Sequence, residues 1–277
     1  MGRMLTTTPE TNTTQGAGFI SYARRITAEM RKKGRYDAAH KLDTYIGRFA
    51  AFTGKGDIPF GDLTPQLVSS YRAWLADKAL GHNSIALYTR SLKRVYLRAA
   101  ADGLAAGGNP FAGIDTSYRP KKEKPGLTLD DIRRIARLDL SQSRPAVGFA
   151  RDMFLFSVLT HGMTCGDIFR LTRGNIHGDR LTYTPKGAAN EVTIAYEPAL
   201  QEIAERHARP GTPYLFPVIT ACDAREQWLQ HCRALHNINR NLKTIGRRLA
   251  LPFPLTMTVA HHSWLSMTRS LSIAQLL

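Results

Sequence analysis

The residues best suited to chemistry in this sequence are basic side chains that recur at helical spacing. Between residues 88 and 101 the chain has no acidic residue and four basic ones, Arg90, Lys93, Arg94 and Arg98. Successive residues of a helix lie about 100° apart, so these four share one face, opposite an apolar stripe of Tyr88, Leu92, Val95, Tyr96 and Ala99. A solvated helix face ordinarily mixes charges, whereas a row of cations alone can neutralise the phosphates of a nucleic-acid backbone. The spacing favours a face that contacts phosphates.

Histidines supply the other candidates for chemistry. His261 and His262 are adjacent, so on a helix their rings point about 100° apart and make poor joint metal ligands. A metal-dependent nuclease built on His161, His261 and Asp167 is the alternative that this geometry disfavours. The sequence has no glycine-rich phosphate loop, no HExxH, no GxSxG and no paired-carboxylate signature. We therefore expect neither a metal nor a cofactor.

The net charge indicates what kind of molecule the protein binds. The 277 residues include 38 Lys and Arg against 22 Asp and Glu, which gives a formal charge of +16 and a pI of about 10.1. Self-repulsion of this size is relieved by a polyanion, either nucleic acid or an anionic membrane. No apolar run reaches the roughly 18–20 residues of a membrane span, and residues 1–18 lack the apolar stretch of a signal peptide. Three cysteines without a CxxC pair argue against a disulfide frame and indicate a reduced, cytoplasmic setting.

The elements that carry the basic residues are helical in the first part of the chain. One amphipathic helix is predicted by apolar residues at the i, i+3, i+4, i+7 spacing, namely Leu42, Tyr45, Ile46 and Phe49. Thr64 and Pro65 predict the N-cap and first position of a second helix. A third, from about residue 83 to 102, carries the basic face. Residues 119–125 combine prolines with Lys and Arg, which is typical of a linker that contacts the DNA backbone.

The rest of the chain predicts a mixture of helices and strands. Thr128 and Asp131 form a capping-box pattern at the start of a helix, and a buried helix over 150–159 ends at His161-Gly162. Apolar alternation at 181–183 and 192–196 predicts a β-hairpin with Lys186 at its turn. A basic amphipathic helix around 238–249 adds two candidate DNA-binding residues, Arg240 and Lys243.

Several segments, in order, resemble the tyrosine recombinases, the phage integrase family. Residues 81–99 resemble the fourth helix of the family's core-binding domain, and Asn109-Pro110-Phe111 the end of that domain. Residues 154–176 resemble the box around the family's first catalytic arginine, and residues 255–270 the box around the second. The likeness spans roughly residues 19 to 275. It implies a mainly α fold with a small β-hairpin or sheet, in which a helical SAM-like core-binding domain precedes an α+β integrase-type catalytic domain.

The domain boundaries expected from these patterns are a flexible tail at 1–18, the core-binding domain at 19–115, a basic linker at 116–126 and the catalytic domain at 127–277. We also expect three lysines of the linker to contact DNA, namely Lys121, Lys122 and Lys124.

The resemblance also implies a site, but this chain departs from it at most positions. In the family a tyrosine attacks the scissile phosphate while two arginines hold the phosphate oxygens through bidentate bonds. The first arginine position is His161, or Thr164 in the family's commoner register, and the second is His261. Thr258 stands where members have histidine or tyrosine, and Lys186 matches the hairpin lysine. No tyrosine follows Tyr214, so the nucleophile of the family pattern is not found.

The sequence therefore predicts a protein of the integrase family that binds double-stranded DNA but is catalytically defective. Two alternatives remain open: a recombinase completed by a tyrosine from a partner subunit, and a DNA-binding regulator with no part in recombination. Other recombinase subunits on DNA are the expected protein partners, and a mobile element is the expected context.

Overall fold

The computed structural model describes residues 18–105, 107–120 and 126–270. All of the predicted tail except Gly18 lies outside the described residues, as do Lys121, Lys122 and Lys124. The chain divides into two compact units, Met1–Lys121 and Lys122–Leu277. None of the described helices is both long and apolar enough to cross a membrane.

The first unit is a bundle of four helices around an aromatic core. Phe19, Phe49 and Tyr71 are fully buried, and their rings meet edge to face, with centroids 5.7 Å apart for Phe19 and Phe49 and 5.0 Å for Phe49 and Tyr71. The helices are α1 (Phe19–Lys32), α2 (Tyr36–Thr53), α3 (Pro65–Asp77) and α4 (His82–Ala101), with a 3-10 turn at Phe60–Asp62.

Local sequence patterns predict α2, α3 and α4, whereas the start of α1 is held by a residue distant in the sequence. Thr64 caps α3 by accepting a hydrogen bond from the Leu67 backbone, with Pro65 in the first position, as predicted. The α1 helix was not predicted. Its N-cap, Gly18, has no side chain, and the Asp57 carboxylate instead accepts hydrogen bonds from the backbone N–H of Gly18, Ile20 and Ser21.

The second unit packs helices around α6 and adds a small sheet. Its helices are α5 (Leu129–Arg137), α6 (Pro145–Leu159), α7 (Cys165–Ile168), α8 (Pro198–His207), α9 (Ala224–Arg248) and α10 (Met257–Ser270), with a 3-10 turn at Arg173–Asn175. The strands β1 (Ile176–His177), β2 (Arg180–Tyr183) and β3 (Val192–Ala195) form an antiparallel sheet in that order, with Leu181 opposite Ile194. The predicted fold class, mainly α with a small sheet, is confirmed; β1 is an addition that the sequence did not indicate.

A buried carboxylate joins α6 to α8 in this unit. Asp152 is 1% exposed and lies 2.8 Å from both Arg206 Nη1 and His207 Nε2, with Arg151 Nε at 3.1 Å. Burial alone would raise the pKa of Asp152, but the hydrogen bonds from His207 and Arg206 outweigh it and hold that pKa below its ordinary value. The carboxylate therefore stays charged and ties the two helices together.

Candidate functional site

The turn after α6 sets the position of the first predicted site residue. The backbone N–H of Gly162 donates to the Ser157 carbonyl at 2.7 Å, and that of Met163 to the Thr160 carbonyl at 3.2 Å. These bonds close the helix end with His161 at φ 61° and Gly162 at φ 77°. Histidine tolerates this left-handed region better than most residues. The turn leaves the His161 side chain exposed.

The helix α10 brings the second predicted site residue to the same turn. His261 Nδ1 lies 3.1 Å from the Gly162 carbonyl oxygen, and the Trp264 ring stacks on the His161 ring with centroids 5.2 Å apart and planes 21° apart. A Cβ on Gly162 would come within 2.9 Å of His261 Cα. The two positions at which the family resemblance expects arginines therefore meet across one glycine, although 100 residues separate them, and both carry imidazoles.

A buried aspartate connects the next two candidates, Thr164 and Lys186. The Thr164 hydroxyl caps α7 and donates to Asp167 at 2.7 Å. The other oxygen of Asp167 accepts from Arg170 at 2.8 Å and from the backbone N–H of Lys186 at 3.1 Å. Asp167 thereby fixes the backbone at the start of the β2–β3 turn and leaves the Lys186 side chain exposed. The sequence interpretation had considered Asp167 only as a metal ligand, although Thr164-x-x-Asp167 carries a capping signal.

The remaining predicted residue of the site, Thr258, is exposed in the first turn of α10. Burial disfavours the ionisation of two other side chains in this unit that could act as nucleophiles, Cys165 and Tyr183. Burial raises the pKa of the Cys165 thiol to about 12, and burial, aided by the charge of Asp167, raises the pKa of the Tyr183 hydroxyl. Both groups are protonated at neutral pH. The described residues contain no cluster of three or more His, Cys, Asp or Glu side chains able to hold a metal ion.

The predicted basic face of α4 is partly occupied by contacts within the first unit. The Arg90 guanidinium donates to the Thr116 carbonyl and lies over the Tyr118 ring, 4.3 Å from its centroid. Arg98 forms an ion pair with Glu29 at 2.7 Å. Lys93 and Arg94 have no carboxylate partner within the described part of the chain. Within the described residues, Arg98 is thus the one member of this face whose charge a carboxylate balances, and Lys93 and Arg94 also lack the carbonyl and ring contacts that hold Arg90.

The first residues of the expected linker are held against α4. Asn83 makes a pair of hydrogen bonds with the Arg119 backbone, both 2.8 Å, and His82 Nε2 lies 3.1 Å from the Ser117 carbonyl. With Arg90 on Thr116, these contacts hold residues 116–119 against the N-terminal half of α4, and of the four basic residues assigned to phosphates they engage Arg90. No local pattern predicts these contacts, because they join residues that lie 35 and 36 positions apart.

The α9 helix presents a second basic face. Arg240 and Lys243, predicted as DNA-binding residues, are exposed on α9, and at about 100° per residue Arg233 joins them on that side. None of the three has an ion-pair partner among the described residues, and from Gln227 to Arg248 the helix contains no Asp or Glu. The basic amphipathic pattern predicted around residues 238–249 extends back to Arg233, because α9 begins at Ala224.

The outward face of α1 is basic as well. It carries Arg24, Arg25 and Lys32, all exposed, while Arg31 on the same helix pairs with Asp43. The sequence interpretation missed this face because it had not predicted α1.

Comparison with protein families matches residues 18–114 to the phage integrase SAM-like domain. A comparison with curated proteins gave no match.

Solved structures of integrases resemble the chain over most of its length. A lambda integrase dimer bound to a COC′ core site has a TM-score of 0.62 at 17% identity, covering 90% of this chain and 86% of that one. A lambda integrase tetramer bound to a Holliday junction has a TM-score of 0.60 at 17% identity, covering 93% and 75%. The Tn1549 transposon integrase in complex with a circular intermediate DNA has a TM-score of 0.62 at 13% identity, covering 92% and 88%. The chain thus carries a phage integrase SAM-like domain at residues 18–114 and has the fold of the tyrosine recombinases.

Proposed function

We propose that this chain binds double-stranded DNA and does not cleave it. The observation that carries the binding is the exposed face of α9, where Arg233, Arg240 and Lys243 have no acid beside them in a chain of formal charge +16. The integrase structures with this fold described above are bound to DNA, which supports duplex DNA as the polyanion. One of them is a dimer and another a tetramer, which supports further subunits on the same DNA.

The absence of cleavage follows from the side chains at the site. A planar guanidinium offers two parallel hydrogen bonds to a phosphate, whereas an imidazole offers at most one from each nitrogen. Removing a single preorganised donor typically lowers a rate by about 10²–10³. His161 and His261 replace both arginines of the family pattern, and burial raises the pKa of the Cys165 thiol and of the Tyr183 hydroxyl, which disfavours either as an alternative nucleophile. We therefore assign the protein a binding role.

Salt dependence tests the DNA contact directly. The affinity for a labelled duplex, measured by fluorescence anisotropy between 50 and 200 mM salt, should fall by about 0.9 log units per log unit of salt for each phosphate neutralised. Replacing Arg233, Arg240 and Lys243 by Gln should reduce that slope by about two to three, because each residue contributes roughly one phosphate contact.

A matched triple variant removes the same charge elsewhere. Lys41, Lys55 and Lys78 are exposed and lie outside the proposed faces, so their replacement by Gln should leave the slope unchanged. Equal effects of the two triple variants would mean that only net charge matters and that α9 is not an interface. A wild-type slope near zero would overturn DNA binding itself.

A nicked duplex tests the absence of cleavage, since strand release then traps any covalent intermediate. The 277-residue chain should form no SDS-stable adduct with a pool of such substrates under conditions in which it binds them. Introducing H161R and H261R together should tighten binding and still give no adduct, since stronger electrostatics do not supply a nucleophile. An adduct from the unmodified chain would show that an unrecognised residue attacks the phosphate and would support an active enzyme.

A further inference from the structure

The hydrogen bond of His261 decides which nitrogen of its neutral ring carries the proton. A carbonyl oxygen only accepts hydrogen bonds, so His261 Nδ1, 3.1 Å from the Gly162 carbonyl, carries the proton of that bond. In the neutral ring the other nitrogen, Nε2, is then without a proton and acts as an acceptor. Phosphate oxygens of a diester also only accept. Neutral His261 therefore has no donor for a phosphate, and it gains one at Nε2 only when the ring takes up a second proton.

His161 directly precedes the same glycine and is exposed. The stack on Trp264 fixes the plane of the ring, and neither ring nitrogen has a hydrogen-bond partner among the described residues. In its neutral form it offers one N–H, and in its charged form two. Protonation therefore raises the number of donors that the pair presents and gives both rings a positive charge.

We infer that His161 and His261 form an anion site whose affinity for a DNA phosphodiester rises when these imidazoles are protonated. This inference rests on the proposed DNA binding and adds a proton dependence to it. Each proton taken up adds a donor and a positive charge to the pair, so the site binds DNA more tightly at lower pH. An arginine at the same position would hold its charge and its donors throughout.

The charged groups around the pair reinforce an anion as its ligand. His262 follows on α10, with its ring centroid 5.7 Å from that of His261. On α7, Asp167 is already bound by Thr164, Arg170 and the Lys186 backbone, so that carboxylate does not compete for the imidazoles. Lys186, whose backbone Asp167 holds, and His231 of α9, which lies beside Gly166, are further basic side chains on elements that contact the α7 segment.

Duplex affinity measured across pH tests the site. With the full chain at constant ionic strength, binding should be about tenfold tighter at pH 5.5 than at pH 8.0, the size expected for one or two charge-assisted hydrogen bonds. The variant H161N,H261N should lose most of that difference. Asparagine suits both positions, because it tolerates the positive φ of residue 161 and its amide can still donate to the Gly162 carbonyl. The H261R variant should bind at pH 8.0 as tightly as the wild type does at pH 5.5, and with a flatter profile.

A control variant distinguishes the effect of this site from that of histidines elsewhere in the protein. His177 is exposed on β1, and H177N should keep the wild-type pH profile. If H161N,H261N keeps that profile too, or if H261R shows the full pH effect, the inference is wrong while DNA binding stands. If no variant binds duplex at any pH, the proposed function itself fails. Circular dichroism confirms that each variant is folded, and the H261R result decides the question should the asparagine variant unfold.

Discussion

At the scale of single residues, Gly162 allows the two histidines to meet. It has φ 77°, and a Cβ there would lie 2.8 Å from His261 Nδ1, so G162A should lower the free energy of unfolding by at least about 2 kcal/mol from backbone strain and the clash with α10. Gly148 is the matched control, because it lies inside α6 and a Cβ would meet nothing within 4 Å. G148A should instead stabilise by about 0.5–1 kcal/mol. Urea unfolding measures both, and a G162A variant as stable as wild type would contradict the geometry.

At the scale of elements, α1 depends on a residue from another part of the chain. Burial alone would raise the pKa of Asp57, but hydrogen bonds from Ser21 and from the backbone of Ile58 and Ile20 hold it below the ordinary 3.8. A carboxylate with a lowered folded pKa contributes stability that is complete above the unfolded pKa and is lost as the pH falls through the folded one. We expect D57A to cost roughly 1–2 kcal/mol at pH 7, as for loss of a helix cap, and the difference from wild type to shrink below about pH 4. Urea unfolding at pH 7, 5 and 3 measures it, and a constant difference would exclude the charge as the cause.

At the scale of the whole molecule, each unit has its own hydrophobic core, one drawn from residues 19–111 and the other from residues 127–260. Separate cores make each unit a candidate for independent folding, and the prolines and charges at 119–125 make that segment the expected place of cleavage. We therefore propose that limited trypsin digestion yields two helical fragments whose ends fall between residues 119 and 125. Digestion that spares this segment while cutting within either unit would contradict these boundaries. Circular dichroism of the purified fragments then tests whether each remains folded.

Elements whose signals are local could be predicted from the amino-acid sequence. The Thr64-Pro65 cap, the Thr128–Asp131 capping box and the alternation around Lys186 each involve residues within a few positions or across one turn. Such interactions form wherever the chain places their partners next to each other, so a sequence is enough to predict them. The assignment of the family's arginine positions to His161 and His261 also comes from the sequence, and it stays a prediction.

How His161 and His261 come together depends on the packing of the folded chain. The contact of His261 with Gly162 spans 99 residues and that of Asp167 with Lys186 spans 19, so both depend on how α6, α7, α10 and the hairpin pack rather than on any local pattern. The same holds for the basic face of α4, whose Arg90 turns out to hold the backbone of Thr116. A helical pattern specifies which side chains share a face, but what covers that face is set by packing across the fold.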